Sequence, residues 1–154
     1  MTIVDGVIEQ EIRVQAAPAE VFPYFTDPAK MRRWQGVDHT LEARPGGVYR
    51  VDMNGTMVAS GTFIEIDPPR RVVFSFGWEG EGQPVPPGSS TVEVTLTPDG
   101  DGTVVRLVHR GLGDEALSSH GEGWEHYLGR LSAVAGGSDP GPDPWAARPD
   151  GSAA

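Results

Sequence analysis

A histidine closing an apolar run is the first place in this sequence where chemistry could reside. Val105, Leu107 and His109 share one parity, so on a strand their side chains leave the same face. An imidazole with a reference pKa of about 6.5 can take or give a proton near neutrality. With Tyr49 as a second polar tip, the pair could act as acid, base or oxyanion donor on a bound carbonyl compound. The competing reading is a strand-end histidine that is exposed or hydrogen-bonded to a neighbouring loop.

Other chemistry finds less support. His120, Glu122 and His126 lie at intervals of two and four, which do not make a His-Glu-x-x-His arrangement, and no second cluster supplies further ligands, so no metal is expected. His39 beside Asp38 is expected in a solvated loop. None of the serines sits in a Gly-x-Ser-x-Gly elbow, and there is no phosphate loop or dinucleotide fingerprint, so neither a hydrolase triad nor a cofactor is expected. The chain has 0 Cys, which excludes disulfides, thiolate nucleophiles and cysteine-based metal sites.

The aromatic and apolar residues fall on faces that the elements must bring together. Ile8, Ile12 and Val14 alternate with Glu9, Glu11 and Arg13, predicting a half-buried strand over about Val7–Val14. Two short helices follow, the first entered at Ala17-Pro18 and the second capped by Asp27, with Val21, Phe22, Phe25, Met31 and Trp34 inward. Turn signals at 44–47, 67–69 and 98–102 then separate an antiparallel meander. Its strands are expected near Thr40–Glu42, Val48–Met53, Val58–Ile66, Val72–Trp78, Thr91–Thr97 and Thr103–His109, for about seven in all. The register of Val58–Ile66 stays open, because Phe63 and Ile64 point opposite ways and Gly61 could mark a bulge. From Asp114 to Ala135 the spacing returns to helical, with Trp124, Tyr127, Leu128, Leu131 and Val134 on one stripe. The expectation is an α+β domain over 1–136, followed by a disordered Pro/Gly-rich tail over 137–154 that holds the single Trp145.

A sheet curved around that terminal helix leaves a concavity, the usual setting of a small-molecule site. By parity its lining draws on Tyr49, Val51 and Met53 from one strand, Phe74, Phe76 and Trp78 from another, and His109 from the last. The helix adds Trp124, Tyr127, Leu128 and Leu131. Ordinary core packing competes with ligand binding at each of these positions. The Gly/Pro-rich loop over 79–90 follows Trp78 directly and could cover such a site.

Charge narrows the partners. Twelve Lys+Arg against 22 Asp+Glu give a net charge of -10, which repels phosphate backbones and anionic lipid, so neither nucleic acid nor a membrane surface is expected. Met1–Gln10 lacks the basic start of a secretory signal and no run approaches about 18 apolar residues, so the expected compartment is the cytoplasm. An exposed strand edge would allow homodimerisation through the sheet.

Ala17-Pro18-Ala19-Glu20-Val21-Phe22, Thr26-Asp27-Pro28 through Trp34, Pro45-Gly46-Gly47-Val48-Tyr49, Gly61 through Pro69, and Gly121-Glu122-Gly123-Trp124 stand in one order over roughly 7–136. In that order they resemble the proteins homologous to the activator of heat-shock-protein-90 ATPase, within the helix-grip (START, SRPBCC or birch-pollen-allergen-like) superfamily. The resemblance implies a helix-grip fold with two short helices after strand one and a sheet gripping the terminal helix. It implies one of three functions. The first is binding of a small hydrophobic, aromatic or lipid-like molecule; the second is a cyclase- or hydrolase-like enzyme acting on a polyketide-type carbonyl compound; the third is an interaction module related to the chaperone activators. Co-chaperones of this type carry a separate chaperone-binding domain for which 154 residues leave no room, so a chaperone partner is not expected.

Overall fold

Eight antiparallel strands and one long helix form the framework of the described residues. The computed structural model describes residues 2–146. Strands β1 (Thr2–Val4) and β2 (Val7–Val14) form a hairpin in which Val4 pairs Val7. Its turn residues Asp5 and Gly6 have φ of 52° and 75°, the left-handed geometry that a two-residue hairpin needs and an Asp-Gly pair readily adopts. The hairpin adds a strand at the N-terminal edge, so the sheet has eight strands rather than about seven, and the short helices follow the second strand.

The first helical segment is α1 (Pro18–Val21), continued by a 3-10 turn over Phe22–Phe25. Then comes α2 (Pro28–Met31), where the Asp27 carboxylate accepts from the Ala29 amide at 2.9 Å as its cap. These segments carry the chain to the far edge of the sheet. From there β3 (Asp38–Leu41), β4 (Val48–Asp52), β5 (Val58–Asp67), β6 (Arg71–Phe76), β7 (Ser90–Asp99) and β8 (Gly102–Arg110) meander back until β8 pairs β2. The spatial order is β1-β2-β8-β7-β6-β5-β4-β3.

The open register in β5 has a structural cause. Its first half pairs β4 and its second half pairs β6, with the irregularity between Phe63 and Glu65. Phe63 is thereby buried while Ile64 stays half exposed. A side chain at Gly61 would collide with the Ser75 carbonyl, so the crossing requires glycine there.

Helix α3 (Asp114–Ala135) lies across one face of the sheet. Acids at Asp114 and Glu115 oppose the positive end of its dipole. Val72, Phe74 and Phe76 of β6, Val92, Val94 and Leu96 of β7, and Val105 and Leu107 of β8 are at most 2% exposed. They pack with Leu128, Leu131 and Val134 of α3 in one core. Burial of each such side chain contributes about 1.5–3 kcal/mol. Beyond α3 the described chain continues past the expected end of the domain at 136: Arg130 Nη2 donates to the Gly141 carbonyl at 3.0 Å, and Trp145 stacks on His126 with centroids 3.9 Å apart. The last eight positions of the expected tail, 147–154, lie outside the described residues.

Candidate functional site

The inward stripe of α3 divides near Trp124. Leu128, Leu131 and Val134 fill the core, whereas Ser119, His120, Gly123, Trp124 and Tyr127 wall a cavity of about 320 Å³. Opposite stand Phe76 at the end of β6, Trp78 just beyond it, Met53, Asn54 and Met57 at the β4–β5 turn, and Gln35 after α2. Gln83 and Pro84 cover it from the loop before β7, and Trp145 closes the side beyond α3.

Local sequence explains how several of these residues are held. The Asp52 carboxylate accepts from the Gly55 amide at 2.7 Å, and Asn54 Oδ1 accepts from the amides of Thr56 and Met57 at 3.0 and 2.8 Å. These side-chain turns fix the β4–β5 connection and with it Met53 and Met57. The covering loop is anchored at both ends: Trp78 N donates to the Val85 carbonyl at 2.7 Å, and Arg50 grips Glu79 through two bonds of 2.8 and 3.1 Å. A side chain at Gly77 would strike the Pro86 carbonyl, so the loop can fold back only over glycine.

Two indole–imidazole pairs hold the tryptophans of the wall, one imidazole at the wall and the other buried behind it. Trp124 Nε1 donates to His109 Nδ1 at 2.9 Å, and His109 Nε2 lies 2.8 Å from Ser90 Oγ, which donates to the Phe76 carbonyl at 2.7 Å. An indole nitrogen only donates, so His109 Nδ1 carries no proton and Nε2–H donates to Ser90. Burial pushes the His109 pKa down to about 3, with His120 adding to the effect. In the second pair Trp78 Nε1 donates to His120 Nε2 at 2.9 Å, while His120 Nδ1–H donates to the Ala116 carbonyl at 2.7 Å. Burial lowers the His120 pKa too, against the bond to Ala116, which raises it. Both rings are therefore neutral around pH 7, and among the described residues no Asp, Glu, Lys or Arg lines the cavity.

Of the residues expected from parity, Met53, Phe76, Trp78, Trp124 and Tyr127 meet at the cavity. Tyr49, Val51, Phe74, Leu128 and Leu131 are packed in the core behind it, Tyr49 stacked on Phe74 at 4.1 Å. His109 has no exposed surface and both its nitrogens are engaged. The expectation that His109 and Tyr49 converge on a bound carbonyl is thus corrected: neither lines the cavity, and burial alone drives the Tyr49 hydroxyl pKa upward. His39 is likewise not a solvated loop residue, since it pairs with Val51 in β3 and its Nε2 lies 2.6 Å from the Gln35 carbonyl.

Sequence reading missed Gln35, Asn54, Met57, His120 and Trp145 as wall residues. Only Trp145 carried a signal, as a lone aromatic in a polar segment. His126 Nε2 bonds Asp143 Oδ1 at 2.8 Å, away from His120, and no group of three or more metal-ligating side chains occurs among the described residues. Nor is any helix among them long and apolar enough to cross a membrane.

A family model described as activator of Hsp90 ATPase homolog 1-like protein matches residues 15–136. The solution structure of an AHSA1-like protein from Rhizobium etli is 48% identical, with 92% of this chain and 89% of that one covered and a TM-score of 0.72. The crystal structure of CalU16 from Micromonospora echinospora is 31% identical over 85% of this chain and 76% of that one, with a TM-score of 0.69. DynU16, a protein of the dynemicin biosynthetic locus, shares the fold at 23% identity and a TM-score of 0.72, covering 88% of this chain and 49% of that one. No curated protein matches the chain.

Proposed function

The chain belongs to the activator of Hsp90 ATPase homolog 1-like family, within the helix-grip superfamily, and from that premise we propose that it binds a small hydrophobic molecule between sheet and terminal helix. The observation that carries this reading is the cavity of about 320 Å³ walled by Met53, Met57, Phe76, Trp78, Trp124 and Tyr127. That volume lies at the low end of the range of about 300–1,000 Å³ for ligand pockets. Its walls are rings and thioethers, which mould to flat apolar partners. The lack of charged side chains on the lining among the described residues, and the engagement of both His120 ring nitrogens within the protein, favour a binder over an acid–base catalyst. Since one relative of this fold comes from the dynemicin biosynthetic locus, aromatic polyketide-type compounds are the first class to assay.

Native mass spectrometry of freshly purified protein, followed by tryptophan-fluorescence titration with aromatic and fatty compounds at neutral pH, tests the proposal. A co-purified molecule, or saturable quenching that disappears in a folded Met57→Trp variant, supports it. An unliganded protein that shows no saturable quenching with any compound, or that instead stimulates a purified chaperone ATPase, sinks it.

A further inference from the structure

Asn54 lines the cavity from the β4–β5 turn and is 4% exposed. Its Oδ1 accepts from the amides of Thr56 and Met57 at 3.0 and 2.8 Å. Turning the side-chain amide over would set its own N–H groups against those two backbone N–H groups, so its orientation is fixed. Nδ2 is thereby held as a donor, and it has no acceptor among the described residues. The other donors of the wall are spent inside the protein: the two indole N–H groups on imidazoles, and His120 Nδ1–H and the Ser119 hydroxyl on the Ala116 carbonyl. The Tyr127 hydroxyl is free and keeps its proton, since burial drives its pKa upward, but a hydroxyl both donates and accepts. The Gln83 amide makes no hydrogen bond among the described residues, so nothing decides which of its ends meets a ligand, and Gln35 Oε1 is sealed from the cavity.

The geometry points to Asn54 Nδ2 as the group that selects the ligand, an apolar ring compound whose carbonyl oxygen, in a ketone, quinone or ester, accepts from it. This inference rests on the proposed function and narrows its ligand class. Since the cavity opens to solvent, water can serve such a donor in the free protein. A hydrocarbon that displaces the water leaves the donor unanswered, whereas a carbonyl replaces the lost bond. A ligand whose only polar group is a donor gains nothing there, because two N–H groups do not pair. The Tyr127 O–H can donate to a ligand as well, which favours the same polarity without demanding it.

Asn54 is the only asparagine in the sequence, so nitrogen-15 asparagine labelling gives a single side-chain amide signal to follow by NMR. The probes are 1-indanone, its parent hydrocarbon indane, and indole, which has a donor and no carbonyl. In the wild type, 1-indanone is expected to move an Asn54 Hδ2 proton downfield at saturation, and indane to leave it without that shift. Calorimetry at neutral pH on the wild type and Asn54→Asp then supplies affinities. The aspartate keeps an oxygen for the Thr56 and Met57 amides and puts a second acceptor in the place of Nδ2. The preference for 1-indanone over indane, taken as a ratio of Kd values, should fall about tenfold in this variant, while indole gains on indane. Comparing ratios removes the different hydration of the free probes. An Asn54 signal that responds alike to bound 1-indanone and indane, or a folded Asn54→Asp variant that keeps the wild-type ratio, overturns the inference. Should the variant fail to fold, the wild-type NMR titration decides alone. If none of the three probes binds, the cavity reading fails and takes this inference with it; if they bind and the Asn54 signal does not tell them apart, only this inference fails.

Discussion

The indole N–H of Trp124 reaches across 2.9 Å to Nδ1 of His109 and ties the middle of the terminal helix to the last strand of the meander. Both groups are buried, so each depends on the other for its hydrogen bond. His109→Leu orphans the Trp124 donor and is expected to lower stability by about 1–3 kcal/mol in urea denaturation. Adding Trp124→Phe to that variant should cost less than it does in the wild type, because the orphaned donor leaves with the indole. Strict additivity of the two changes would show that the bond contributes nothing.

The same histidine sets a pH dependence. Its folded pKa of about 3 lies below the value of about 6.5 expected when unfolded. The unfolded chain therefore binds more protons below about 6.5, and stability is full above that pH and falls as the pH drops toward 3. At pH 5 the loss attributable to His109 is about 2 kcal/mol. His39 and His120, also shifted down, add in the same direction. The carboxylates that Arg partners hold low, Glu79 and Glu93, weaken the fold only at more acidic pH. Denaturation between pH 5 and 7 should show this slope in the wild type and a shallower one in His109→Leu; equal slopes would refute the assignment.

Gly123 sits inside α3 at the cavity wall, and a Cβ placed there meets nothing within 4 Å. Glycine in a helix interior is about 1 kcal/mol less favourable than alanine. Gly123→Ala should therefore raise stability by about that amount, and Gly123→Leu should fill part of the cavity and weaken binding of a naphthalene probe by tenfold or more. Paired urea denaturation and calorimetry check this. A leucine variant that binds undiminished would place the ligand elsewhere.

Trp145 closes one side of the cavity while stacked on His126, whose Nε2 is held by Asp143. Removing the ring in Trp145→Ala should speed ligand release several-fold in stopped-flow fluorescence while lowering stability by only about 0.5–1.5 kcal/mol, the value of one aromatic pair. Unchanged release would mean that the segment beyond α3 takes no part in retention.

What could be read in the sequence followed the physics of periodicity. Alternation along β2, β6, β7 and β8 and the helical stripe from Trp124 to Val134 report burial directly, and those faces lie inward. The first hairpin escaped because β1 is three residues long and exposed at each position, so it has no alternation to detect, although Asp5-Gly6 carries the turn signal. At the cavity, parity separates inside from outside but not the filled core from the void within it, which is why Tyr49 and Met53 look alike in sequence and sit in different surroundings. Gln35 was invisible for another reason: a polar residue after a short helix reads as surface, and only its placement beside the β4–β5 turn buries it.

The strand order also governs when this protein can exist as a folded body. Pairing of β2 with β8 joins the two ends of the domain, and Gln10 Nε2 then bonds the Gly121 carbonyl across 111 residues. Contacts this distant in sequence require the whole intervening chain before they return any stabilisation, which slows folding relative to local hairpins. During synthesis β2 emerges early and stays unpaired along that edge until β8 and the helix have left the ribosome. Its Glu9, Glu11 and Arg13, charged and outward, shield that edge from neighbouring nascent chains during the wait.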